Sequence, residues 1–124
     1  MYRIGIKRRF SAAHHLEGHP GKCSRTHGHT WMVEAVFCSE EVGPDGLVID
    51  FDDAGKALQD AIEPFDHVYL NEVAPFVELQ PTAENVARVL HARLCETAGQ
   101  AGWKARLESV AVWESGDARA TYFA

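Results

Sequence analysis

The chain lacks any apolar run near the length of a membrane-crossing helix, and it has no glycine-rich phosphate loop, heptad pattern, internal repeat or low-complexity tract. A basic start is not followed by an apolar stretch of about seven residues or more, so no secretory leader is expected and the cytoplasm is the expected location. Cysteine is scarce: Cys23, Cys38 and Cys95 are an odd count without framework spacing, which predicts free thiols rather than disulfides. Basic residues are outnumbered, 12 Lys and Arg against 18 Asp and Glu, for a net charge of −6. That balance argues against a general binder of nucleic acid or of anionic membranes. The one basic cluster, Lys7-Arg8-Arg9, reads either as a solvated strand face or as help with an anionic substrate. What remains is an ordinary globular composition, 46% apolar and 24% charged over 124 residues, enough for one domain spanning 1–124 and too short for a second core.

Histidine is what the chain has in unusual arrangement. His14 and His15 follow Phe10-Ser11-Ala12-Ala13, and Cys23-Ser24-Arg25-Thr26-His27-Gly28-His29 comes soon after. Side chains alternate along a strand, so His27 and His29 face the same way with Cα atoms roughly 7 Å apart, within reach of one metal ion. Two imidazoles on one strand, a third from a neighbour and an open fourth position would make a catalytic zinc site, whereas a structural site is closed by four ligands. With Cys23 as the fourth member the group could also close in that second way.

Periodicity places these residues. Tyr2, Ile4, Ile6, Phe10, Ala12 and His14 share one parity, interrupted by Arg8, and predict a long strand with His14 on its apolar face and His15 on the other. A bulge would exchange the two, so parity alone gives His14 a modest edge. The breakers between Glu17 and Lys22 predict a loop, with His19 exposed in it. A second strand is expected from His27 to about Cys38, with His27, His29, Trp31, Val33, Ala35 and Phe37 on one face, and Gly43-Pro44-Asp45-Gly46 turns the chain. A helix follows from about Phe51 to Glu63, where Pro64 ends it; its stripe is Phe51, Ala54, Leu58, Ala61 and Ile62, with Asp52 and Asp53 as first-turn charges. Phe65 to Gln80 reads as irregular and long for a passive connection. A second helix starts with Thr82 as cap and runs to about Ala98 before Gly99, burying Val86, Val89, Leu90 and Leu94, with His91 and Cys95 as structural neighbours. Arg106 to Glu114 alternates with Val110, Val112 and Glu114 on one side and Leu107, Ala111 and Trp113 on the other. A turn at Ser115-Gly116-Asp117 leads into a closing strand from Ala120 to Phe123. The order ββααββ predicts an α+β domain, an antiparallel four-stranded sheet with both helices on one face.

The ordered set Phe10-Ser-Ala-Ala-His14-His-Leu16, Cys23-x-x-x-His27-Gly-His29, Asp66-His67, Pro81-Thr-Ala-Glu84 and Val112-Trp-Glu114 resembles the 6-pyruvoyl-tetrahydropterin synthase family over nearly the whole chain. The three-residue gap before His27 resembles its bacterial 6-carboxy-tetrahydropterin synthase branch. The resemblance implies the tunnelling fold, with subunit sheets joined into a barrel, commonly in a hexamer with active sites at interfaces. It implies Zn²⁺ held by His14, His27 and His29, polarising side-chain oxygens of the substrate. Cys23 is then the proton-abstracting base, and Asp66 and His67 form its proton relay. Glu114 anchors the pterin through paired hydrogen bonds, with Thr82 and Glu84 lining the same pocket. A triphosphate tail would meet scattered cations such as Lys22, Arg25 or the Lys7 to Arg9 cluster. The implied reaction turns 7,8-dihydroneopterin triphosphate into 6-carboxy-5,6,7,8-tetrahydropterin, acetaldehyde and triphosphate, in queuosine precursor synthesis. A 6-pyruvoyl product and a non-catalytic zinc- or pterin-binding module are the alternatives.

Overall fold

In the computed structural model, which describes residues 1–124, the long first strand β1 (Tyr2–His14) pairs antiparallel with β2 (His27–Ser39) along its whole length, from Tyr2 opposite Ser39 to His14 opposite His27. The chain then forms α1 (Phe51–Ile62), a short β3 (Val68–Tyr69), α2 (Ala83–Ala101), β4 (Arg106–Ser115) and β5 (Ala118–Phe123). The sheet has five strands in the order β3-β1-β2-β4-β5. The expected four antiparallel strands are present, and β3 adds a fifth that runs parallel to β1, pairing Val68 with Ala12 and Tyr69 with Ala13. Two residues between a 3₁₀ turn at Glu63–Phe65 and another at Leu70–Glu72 are too few to leave a period-2 signal.

Both helices lie on one face of the sheet, over Ile6, Phe10, Trp31, Val33, Ala35, Phe37, Val110 and Val112. Leu107 joins this core although simple alternation from Val110 puts it on the other face. The register of β4 against β2 slips by one residue between Ser109 and Leu107, and such a bulge switches every side chain beyond it to the opposite face. In α1, capped by the Asp50 side chain accepting the Asp52 N–H at 2.8 Å, the buried stripe begins at Ala54. Phe51, expected in that stripe, is 62% exposed. Its neighbour one turn on is Gly55, which offers no side chain to pack against and is instead approached by the Arg8 guanidinium.

Thr82 caps α2, its hydroxyl accepting the Asn85 N–H at 3.1 Å. The helix passes through Gly99 and ends three residues later, because Gly102 at φ 69° supplies the left-handed residue that accepts no penalty there and closes the last turn. The net effect is one apolar layer between sheet and helices, with the C-terminal end of β1, the N-terminal end of β2 and the C-terminal end of β4 meeting at one edge of it.

Candidate metal centre

Strand register alone brings the imidazoles together. His14 stands opposite His27 and Ala12 opposite His29, so His14 and His29 are diagonal neighbours on the helix-covered face. The ring centroids of the three lie 4.6 to 5.2 Å apart. Beneath them Trp31, fully buried, meets His14 and His29 edge to face. It donates its indole N–H to the Ala12 carbonyl at 3.2 Å, which holds the floor of the site rigid.

The fourth member of the group is Glu114, and strand β4 aims it there. Trp113 pairs with Arg119 and Ser115 with Ala118, so Glu114 is the extra residue of a bulge, a device that re-aims a side chain at the rim of a sheet. Its Oε1 lies 2.7 Å from His14 Nε2 and 3.2 Å from His29 Nε2, and His14 Nε2 is 3.1 Å from His27 Nε2. One ligand atom from each of His14, His27, His29 and Glu114 falls within 4.8 Å of every other.

The proton positions follow from the outer partners. His14 Nδ1 lies 2.7 Å from the Pro81 carbonyl and His27 Nδ1 2.7 Å from the Arg25 carbonyl. A carbonyl oxygen can only accept, so both Nδ1 atoms carry hydrogen and both Nε2 atoms turn lone pairs toward the centre. Burial lowers the pKa of His14 and of His29 despite the raising effect of Glu114, which keeps these rings neutral, the form that binds metal. His29 Nε2 is buried and makes no hydrogen bond of good geometry, although Glu114 Oε1 lies 3.2 Å away. Lone pairs facing one another beside a carboxylate and an orphaned nitrogen are costly without a cation and well suited to one. Three imidazole nitrogens are a donor set that fits zinc, with the Glu114 carboxylate beside them.

Cys23 lies in a 3₁₀ turn, Lys22–Ser24, between β1 and β2 and is half-buried. Its sulfur is not among the converging ligand atoms, so the closed site of three histidines and Cys23 is not what the structure forms. Asp66 and His67 are held against Ser11 of β1. The Ser11 N–H donates to Asp66 Oδ1 at 2.9 Å, the His67 N–H donates to the Ser11 carbonyl at 2.6 Å, and His67 Nδ1 lies 2.9 Å from the same Asp66 oxygen. The Ser11 hydrogen bond is the main reason that the Asp66 carboxyl titrates below its usual range. His67 has φ 58°, a left-handed conformation that a non-glycine residue adopts only where its surroundings enforce it. Its ring, 80% exposed, lines a hollow of about 520 Å³ together with Ser11, Gly28, His29, Thr30 and Tyr69. Glu84, in the first turn of α2, lines a separate hollow of about 370 Å³ with Glu114, Arg119 and Thr121. Thr82 is occupied as the helix cap.

Glu114 as a neighbour of the imidazoles was invisible in the sequence beyond its place on the apolar parity of β4. The Pro81 and Arg25 carbonyls left no sequence signal at all, since backbone groups carry none.

Fold and centre together define an α+β domain of the tunnelling-fold class, with a three-imidazole, one-carboxylate group able to hold a metal ion. The chain belongs to the 6-pyruvoyl tetrahydropterin synthase family, whose model matches residues 3–124. A protein of Archaeoglobus fulgidus is 41% identical over 93 residues, 75% of this chain and 76% of its own. The 6-carboxy-5,6,7,8-tetrahydropterin synthase of Synechocystis is 35% identical over 123 residues, 92% of this chain and 87% of that protein. Among solved structures, the 6-pyruvoyl tetrahydropterin synthase of Caenorhabditis elegans superposes with a TM-score of 0.82 at 26% identity, covering 100% of this chain and 97% of the other.

Proposed function

We propose that this protein is a zinc-dependent lyase that converts 7,8-dihydroneopterin triphosphate to 6-carboxy-5,6,7,8-tetrahydropterin with release of acetaldehyde and triphosphate, in the synthesis of the queuosine precursor. The observation that carries this reading is the convergence of three Nε2 atoms, two of them fixed as lone-pair donors by backbone carbonyls. Family membership and the name of the Synechocystis relative support the carboxy product. We assign His14, His27 and His29 as the zinc ligands. Bound zinc supplies Lewis acidity toward the oxygens of the substrate's side chain, making the adjacent C–H acidic.

The other steps belong to the chain's own groups. Cys23 Sγ takes the side-chain proton as the thiolate, the reactive form of cysteine. Asp66 accepts from His67 Nδ1, which orients the ring and leaves Nε2 to return protons ahead of triphosphate loss and carbon–carbon cleavage. Glu114 accepts the pterin's amino and ring N–H hydrogens, with Thr82 and Glu84 beside it. The protein acts as a homo-oligomer, a hexamer by family resemblance, and as a cytoplasmic enzyme.

The reading is tested by incubating zinc-loaded and metal-stripped protein with 7,8-dihydroneopterin triphosphate and identifying all products by mass spectrometry. Carboxy-tetrahydropterin and acetaldehyde from the zinc-loaded sample alone are expected. A pyruvoyl product would move the protein to the other activity of its family. Tight pterin binding without conversion would make it a binding module.

A further inference from the structure

Outside the metal centre, the residues that follow β1 are held in an uncommon way. His15, Leu16 and Glu17 continue the path of β1 but have no strand beside them, yet each has its backbone paired. The His15 N–H donates to Asn71 Oδ1 at 2.9 Å, and Asn71 Nδ2 donates back to the His15 carbonyl at 3.1 Å. The Glu17 N–H donates to Gln80 Oε1 at 3.2 Å, and Gln80 Nε2 donates back to the Glu17 carbonyl at 2.8 Å. Between them the Leu16 N–H donates to the carbonyl of Cys23 at 2.8 Å.

The register explains the arrangement. In the parallel pairing of β3 with β1, Tyr69 stands opposite Ala13, so a ladder continued by two residues would set Asn71 opposite His15. The backbone leaves the ladder there for the 3₁₀ turn at Leu70–Glu72, and the Asn71 side-chain amide supplies the donor and acceptor in its place. Gln80 repeats the device from the far end of the same segment, where Asn85 Nδ2 donates to its carbonyl at 2.9 Å. Two amide side chains thus fix the residues on either side of Leu16, the residue that holds Cys23.

Asn71 is four residues beyond His67, on a segment whose start is pinned to Ser11 of β1. Resting on the role of Cys23 given above, we propose that Asn71 and Gln80 are positioning residues: their paired amide hydrogen bonds hold in place the loop that carries the Cys23 thiol. The segment from Phe65 to Gln80 is then long because it runs from the Asp66–His67 pair on Ser11 to the two amides that brace the thiol loop.

The test uses the zinc-loaded, full-length protein with Asn71→Ala, Gln80→Ala and the milder Asn71→Asp, which keeps the acceptor and loses the donation. Two readouts need no substrate. Amide hydrogen exchange at Leu16 is expected to quicken about tenfold in either alanine variant, with the amides of α2 unchanged. Alkylation of Cys23 by iodoacetamide, followed by peptide mass spectrometry, is expected to change at least about threefold while that of Cys95 stays fixed. Unchanged exchange and alkylation in both alanine variants, or in Asn71→Asp should the alanine change prevent folding, would overturn the proposal whatever the activity.

The third readout is a cycle with Cys23→Ala. Turnover number should fall about tenfold for Asn71→Ala when Cys23 is present, with KM little altered, and should fall no further in the Cys23→Ala background, because groups that act as one unit are not additive. Equal losses in both backgrounds, or a change in KM alone, would also overturn it. A wild-type protein that converts no 7,8-dihydroneopterin triphosphate would count against the function proposed above, while exchange and alkylation would still decide the bracing of Cys23.

Discussion

His14 combines full burial with three polar neighbours, and its behaviour with pH follows from that placement. Burial lowers its folded-state pKa and that of His29, whereas both titrate near 6.5 in the unfolded chain. Between the lowered value and about 6.5 the unfolded chain therefore binds protons that the folded chain does not, so stability is fully present above about 6.5 and falls as pH drops below it. Urea unfolding of metal-free protein from pH 8 down to 5.5 should show this decline; a flat profile would mean that the imidazoles are solvated or already charged. Cys23→Ala tests a different residue role. It should leave zinc content unchanged and lower turnover by at least about 100-fold, the scale of a lost general base. Zinc loss in that variant would return the sulfur to the ligand set.

Among the elements, β1 and β2 show why the imidazole cluster was legible in the sequence. Thirteen paired residues without a bulge keep parity intact from Tyr2 to His14, so counting by twos correctly put His14, His27, His29 and Trp31 on one face. β4 shows where counting fails. Its register slip near Leu107 is set by pairing with β2 and leaves no mark in the local pattern. That slip moved Leu107 into the core, whereas Glu114 stays on the side that counting gave it, with Val110 and Val112, and lies beside His14 and His29. Helix ends were legible where a side chain makes the cap, as at Thr82, and misread where two glycines competed, as at Gly99 and Gly102. Thr82→Ala should cost about 1 kcal/mol in denaturant-derived stability, a cap's usual worth. A negligible change would mean that packing of Pro81 and α2, not the hydroxyl, fixes the helix start.

For the whole molecule, no helix is long and apolar enough to cross a membrane. β1 is paired on its outer side only at Ala12 and Ala13, and β5 has no strand beyond it. Tyr2 and Phe123, each more than half exposed, stand on those two outer strands. Such edges support the proposed assembly into a larger sheet, which sedimentation would reveal as a single species well above monomer mass. The metal should act on the molecule as a ligand of its folded form. At free zinc about 100 times the dissociation constant, stability should rise by about 2.7 kcal/mol, seen as a higher melting temperature that chelation reverses. A melting temperature indifferent to zinc and to chelator would argue against a built site.

X-ray absorption at the zinc edge of the loaded protein tests the central claim most directly. Imidazole scattering with nitrogen or oxygen neighbours at about 2.0 to 2.1 Å and no sulfur is the predicted result. A sulfur neighbour at about 2.3 Å would place Cys23 on the metal, making the centre a closed structural site and contradicting the proposed catalytic role of that thiol.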